Sequence, residues 1–213
     1  MPDQPTVILI HGLVSSSLLL RPMASRLRRR GLTTRFWSYF SIRGSIEHHA
    51  GNLSKFLDRN IRGPFHLVAH SMGSIICRRA LLDIPANRVG RFVMLAPPNR
   101  GSHVASRLAP KLGTICPALR ELSDTPDSYV NQLGVPCDVD TGIVQAERDF
   151  VVADSSISLP DRATPTIAYP GMHSQLLLRS DVAESVADFL TLGEFRTSNE
   201  RSSNSHDPAK PNR

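Results

Sequence analysis

Apolar residues recur along this chain in two alternating rhythms. Val7-Ile8-Leu9-Ile10 is unbroken and closed by His11-Gly12, and an apolar run without polar alternation suits a strand covered on both faces, as in a parallel sheet. Leu20, Met23 and Leu27 then share one helical face, with Pro22 tolerable in the first turn and Gly31 as a stop. Residues 33–39 are β-branched and aromatic and predict a second strand. Ile46, Ala50, Leu53, Leu57 and Ile61 keep helical spacing without a break, which leaves His48, His49, Lys55 and Asp58 to water. A strand over 65–69, a helix over 71–82 and a strand over 91–96, ended by Pro97-Pro98, continue the series. Short strands are expected at 142–146 and 166–168, and Leu178, Val182, Val186, Phe189 and Leu190 mark a last helix. Strand and helix in strict alternation predict an α/β fold: a mostly parallel central sheet, right-handed crossovers, and helices on both faces.

Two segments break the rhythm. Residues 99 to about 137 hold several prolines, short amphipathic pieces and no strand signal, which is long for a plain connection; a cap inserted at about 99–140 is the expectation. Residues 194–213 are almost all polar and read as a disordered tail, so one domain over 1–193 remains. The 40% apolar content of the full chain is enough for a substantial core.

The formal charge of +6 is scattered and aromatic residues are few, a pattern that gives nucleic-acid binding no support. Arg28-Arg29-Arg30 reads as the cationic last turn of a helix that stops at Gly31. The start of the sequence has no basic region, and the apolar run after it is too short for a signal or a membrane span. A soluble, cytoplasmic chain without stable membrane insertion is expected. Cys77, Cys116 and Cys137 are odd in number and lack metal-ligand spacing, so a disulfide framework is not expected, and Cys77 reads as a core thiol.

The chemistry sits at the seam between strand 65–69 and helix 71–82, where the sequence is Ala69-His70-Ser71-Met72-Gly73. A serine at the carboxyl end of a buried strand, followed at once by a helix, requires a sharp bend, and the residues two before and two after it must be small. Ala69 and Gly73 meet that demand. The bend exposes the Ser71 hydroxyl and aims the positive end of the helix at a developing oxyanion. A hydroxyl needs a base to take its proton and a third group to orient the base. His173, in a loop between the last strand and the last helix, fits the base. Asp149, three residues past strand 142–146, fits the acid, with Asp154 and Glu147 in reserve. His11-Gly12-Leu13 follows the first strand, where the Leu13 amide can pair with that of Met72 as an oxyanion hole.

The order Ser, Asp, His, the HG-x turn and the A-H-S-M-G elbow resemble the α/β-hydrolase superfamily, and within it the bacterial lipases and esterases. The resemblance runs from Thr6 to about Leu192. It implies nucleophile Ser71, acid Asp149, base His173 and oxyanion donors Leu13 and Met72, with no cofactor and no metal. Leu95-Ala96-Pro97-Pro98-Asn99-Arg100-Gly101-Ser102 is similar to the T-P-x-x-G-S segment that such lipases carry into the cap. Ala69 in place of Gly is shared with short Bacillus-type lipases, whereas Ala96 stands where many have Thr.

Other histidines read as structural: His11 beneath the oxyanion turn, His70 against the pocket wall or cap, His103 toward solvent. His48-His49 lack a third ligand for a metal, and Asp138 with Asp140 lack the further oxygens calcium needs. Val104, Leu108, Leu112, Ile115, Leu119, Leu122 and Leu133 either line a mouth suited to lipid esters or close a small core of the cap. The expected activity is hydrolysis of carboxylic esters, lipid or of short to medium acyl chain, through an acyl-enzyme on Ser71. A thioesterase, an acyltransferase or a catalytically silent binding protein of the same fold are the alternatives.

Overall fold

The computed structural model describes residues 5–197, 200 and 201. Six parallel strands form one sheet in the order β2-β1-β3-β4-β5-β6: β1 is Thr6–Ile10, β2 Thr34–Trp37, β3 Phe65–His70, β4 Val89–Leu95, β5 Asp140–Ala146 and β6 Thr166–Tyr169. Helices α1 (Arg21–Arg29), α2 (Ile46–Asn60), α3 (Met72–Ala80) and α7 (Ser180–Leu192) cover it, and α4 (His103–Leu112), α5 (Ala118–Glu121) and α6 (Tyr129–Gln132) fall between β4 and β5.

Strand side chains alternate between faces, and here both faces are buried. Ile8, Ile10, Leu67, Ala69, Phe92 and Met94 join α2, α3 and the inserted helices in one apolar cluster. Val7, Leu9, Val68, Val93, Leu95 and Val144 join α1 and α7 in a second. The unbroken apolar runs in the sequence are the consequence of that double cover. Ile10 pairs with Ala69, Ala69 with Met94, Leu95 with Val144 and Ala146 with Tyr169, so the chain leaves β1, β3, β4, β5 and β6 at one edge of the sheet. Strand order reverses at β1, which lies between β2 and β3; a crevice outside the carboxyl ends is expected at such a switch point.

Several sequence expectations need adjustment. β2 stops at Trp37, and Tyr39 instead crosses toward α2 with its ring centroid 4.6 Å from that of His49. His49, expected in water, is therefore buried. Leu178 belongs to a 3-10 turn ahead of α7 and is exposed rather than part of that helix's apolar face. Packing also continues past residue 193: the Phe195 ring stacks on Phe189 at 4.7 Å, and Arg201 Nη1 donates to Asp188 at 2.6 Å. The remainder of the expected tail, 198, 199 and 202–213, lies outside the described residues. Asp140 is engaged by Arg91 Nε at 2.9 Å. The three cysteines are free, with Cys77 and Cys116 buried. No described helix is long and apolar enough to cross a membrane.

The inserted helices are tied down by a residue that no sequence pattern singled out. Arg78, on α3, is fully buried, and its guanidinium donates to the carbonyls of Asn99 (2.9 Å), Gly134 (2.9 Å) and Leu133. One side chain thus holds both ends of the insertion to the helix that begins at the elbow. Burial pushes its pKa down to about 10, with Arg100 adding to the shift.

Candidate active site

The elbow is strained where the sequence demanded a sharp bend. Ser71 has φ 53° and ψ −126°, a region that costs a non-glycine residue about 1–3 kcal/mol and persists only when its surroundings enforce it. The enforcement is visible: Ser71 N donates to Leu95 O at 2.9 Å, and Ser74 Oγ donates back to Ala69 O at 2.8 Å. A Cβ on Gly73 would lie 2.5 Å from the His11 carbonyl oxygen, and one on Gly12 would lie 2.9 Å from Ser71 Cβ. The two glycines therefore let the turn after β1 press directly against the bend after β3. Met72 opens α3, so its N–H has no partner inside the helix.

The turn after β1 is braced from below. Tyr39 Oη donates to His11 O at 2.9 Å, its ring stacks on His11 at 4.5 Å, and Ser41 Oγ accepts from Val14 N at 3.1 Å. His11 Nδ1 donates to Gly12 O at 2.9 Å, and burial lowers its pKa. This matches the structural role expected of His11; Tyr39 and Ser41 went unnoticed in the sequence because nothing in their spacing links them to residues 28 and 27 positions earlier.

Asp149 and His173 meet. His173 Nδ1 lies 2.7 Å from Asp149 Oδ2, while Asp149 Oδ1 accepts from the amides of Val151 (2.8 Å) and Val152 (3.0 Å). The carboxylate side chain is fully buried. Burial acts to raise its pKa, but the His173 bond and the two amides outweigh it and hold the group below the ordinary carboxylate value. The loops that carry the pair are laced together by Glu147 N to Tyr169 O (3.0 Å) and Arg148 N to Gly171 O (3.1 Å). Gly171, at φ 131°, supplies a backbone angle that other residues resist. The reserve acids go elsewhere: Asp154 accepts from Gln145 Nε2 at 2.8 Å in an exposed turn, and Glu147 is exposed.

His70 packs behind this pair. Its ring centroid is 4.8 Å from that of His173, and its Nε2–H donates to the His173 carbonyl at 3.3 Å. Burial first, then the neighbouring His173, push its pKa down to about 3, so it stays neutral. It is a wall residue, as expected, and also a support for the His173 loop.

Ser71, His173, His70 and Leu13 line one cleft of about 270 Å³. From the insertion, Val104, Leu108, Leu119 and Leu122 complete its wall, together with Val151 and Val152. The other apolar residues expected at the mouth do not reach it: Leu112 and Ile115 face solvent, and Leu133 packs on the main core. Leu119 and Leu122 also belong to that core, so the two readings of the cap's apolar residues both hold, for different side chains.

A comparison with solved structures finds chains of the same architecture. The mature lipase BlEst2 of Bacillus licheniformis superposes with a TM-score of 0.73 at 18% identity, covering 90% of this chain and 94% of its own. Phospholipase PlaB of Legionella pneumophila, in complex with thio-NAD, gives 0.69 at 15% identity over 97% of this chain and 65% of its own. A pyrethroid hydrolase from Sphingobium faniae JZ-2 gives 0.62 at 14% identity over 88% and 98%. No curated protein matches. Likeness at such low identity speaks for the fold alone. Sequence speaks for more, since the profile of the Alpha/beta hydrolase family matches from residue 7 to residue 198, nearly the whole chain, and this protein belongs to that family.

Proposed function

We propose that this chain is a serine hydrolase that cleaves carboxylic esters through an acyl-enzyme on Ser71. The observation that carries the reading is the 2.7 Å contact of buried Asp149 with His173, which lines the same cleft as Ser71. With Nδ1–H committed to Asp149, the other ring nitrogen, Nε2, is left with a lone pair to take the Ser71 proton. Ser71 Oγ attacks the acyl carbon, and the carbonyl oxygen becomes an oxyanion held by the Leu13 and Met72 amides; losing one such donor costs about 3 kcal/mol of transition-state stabilisation. His173 then gives the proton to the departing alcohol. Water, deprotonated by the same imidazole, releases the acid and restores Ser71. Asp149 keeps its charge throughout and stabilises the imidazolium.

The apolar wall favours an ester with an aliphatic acyl or alcohol part. A cleft of about 270 Å³ lies at the small end of ligand pockets, which run to about 1,000 Å³, and this favours short to medium chains. The names of structural neighbours, a lipase, a phospholipase and a pyrethroid hydrolase, agree with ester hydrolysis in general. A panel of p-nitrophenyl esters of rising chain length tests the reading. Turnover by the native chain with a maximum at short or medium acyl groups, absent in Ser71→Ala, supports it; turnover that survives Ser71→Ala contradicts it.

A further inference from the structure

The opening of the cleft lies between two apolar lips, one of which is also cationic. On one lip, α4 buries Ala105 and Ala109 and turns its opposite face outward. Leu108 and Leu112 are one helical turn apart on that face, at 39% and 44% exposure, and Ile115, at 65%, follows in the turn that ends the helix. Arg107 and Lys111 are exposed beside them and make no ion pair among the described residues. From 103 to 120 the sequence holds three cations and no carboxylate. On the other lip, Val14 and Leu19 line the cleft while remaining exposed, Val14 at 78%. No Asp or Glu occurs in the sequence between Asp3 and Glu47; of the arginines in that stretch, Arg30 is ion-paired with Glu184 and Asp188, and Arg35 donates to Asn60 O.

Exposed apolar side chains of this size, beside the unpaired Arg107 and Lys111 and with Asp124, engaged by Ser106, as the carboxylate against α4, match a surface that is apolar below its boundary and anionic at it. The geometry points to a docking face for an anionic lipid surface, formed by α4 with its following turn and by the loop after β1, which presses the mouth of the cleft to the lipid. A second copy of the chain is the less favourable occupant, because a two-fold contact would set Arg107 and Lys111 against the same kind of charge. Docking is peripheral, as no described helix is long and apolar enough to span a bilayer. The inference rests on the ester-hydrolase reading only in making this the face where substrate is taken up.

Binding is measured apart from turnover, by sedimentation of the full chain with vesicles of ether-linked phosphatidylcholine, with or without ether-linked phosphatidylserine, which present no carboxylic ester. The native chain is expected to sediment with the anionic vesicles and to be released by salt. A cation near such a surface contributes about a fivefold gain in partition, so Arg107→Gln/Lys111→Gln is expected to lose at least about tenfold. Leu112→Ser/Ile115→Ser is expected to lose a comparable amount. None of these four side chains lines the cleft, so hydrolysis of soluble p-nitrophenyl acetate is expected to stay within about twofold of native. Equal binding to neutral vesicles overturns the proposal, as does undiminished binding by either double variant, or a native dimer that Leu112→Ser/Ile115→Ser abolishes. Anionic-vesicle binding by a chain that turns over no ester would support the docking face and remove only the hydrolase reading.

Discussion

Asp149 and Asp154 were both open to the role of acid in the sequence, and their hydrogen-bond partners separate them. The turn after β5 brings Asp149 back over the sheet, where two amides and His173 Nδ1 saturate its oxygens. Asp154 points outward to Gln145. Asp149→Asn is expected to lower kcat by about 10⁴, the scale seen when a triad acid is replaced by its amide, whereas Asp154→Asn stays within about twofold; kinetics on a p-nitrophenyl ester decide it, and the reverse ranking would move the acid to Asp154. Ser71 and His173 were legible because each lies at a strand end, where a single local pattern fixes the position. The braces were not: Tyr39 and Ser41, and the bond by which the wall residue His70 supports the His173 loop, act through contacts made across the fold that carry no periodicity.

Among the elements, the helices with long apolar stripes were readable and the insertion was readable only as an interruption. α2 follows the spacing from Ile46 to Leu57, because a helix on a sheet needs one continuous buried face. α5 and α6 have four residues each, too few for a stripe to form. The ends of the insertion that carries them are held by Arg78, whose buried guanidinium meets three backbone carbonyls and, among the described residues, no carboxylate. A hydrogen bond from a charged group contributes about 1.5–3 kcal/mol, and its loss leaves buried acceptors unpaired. Arg78→Met is therefore expected to destabilise the chain by about 3 kcal/mol and to speed amide exchange at the ends of the insertion, near 99 and 133–134, more than in β1 or β3. Uniform exchange across the chain would show that Arg78 supports the core generally and does not clamp the insertion.

For the whole molecule, the alternation of apolar strand and amphipathic helix was enough to reach the sheet and its two covered faces, since every strand is flanked by one helix layer or the other. Strand ends, the covering of His49 and the packing of Phe195 depended on which loops cross which face, which sequence spacing does not encode. The same burial sets an acid limit on stability. His66 and His70 are buried and their pKa values are lowered from 6.5 to about 4 and about 3, chiefly by burial. Below pH 6.5 the unfolded chain binds protons that the folded chain refuses, so stability is full above that value and is lost as pH falls toward the folded values, at up to about 1.4 kcal/mol per pH unit for each histidine. Asp149, also depressed, adds stability that is present above the ordinary carboxylate value and is lost only at lower pH than the histidines', as pH falls through its lowered value. Denaturant melts are expected to weaken steadily from pH 6.5 to 4 in the native chain and less steeply in His66→Gln; identical slopes would show that His66 does not titrate as its burial requires. The central claim, one activated serine per chain, is tested most directly by intact mass after reaction with a fluorophosphonate. A single adduct on the native protein, mapped to Ser71, absent in Ser71→Ala and much slower to form in His173→Ala, is the predicted result; a folded native chain that takes up no adduct, or an adduct that persists in Ser71→Ala, would contradict it.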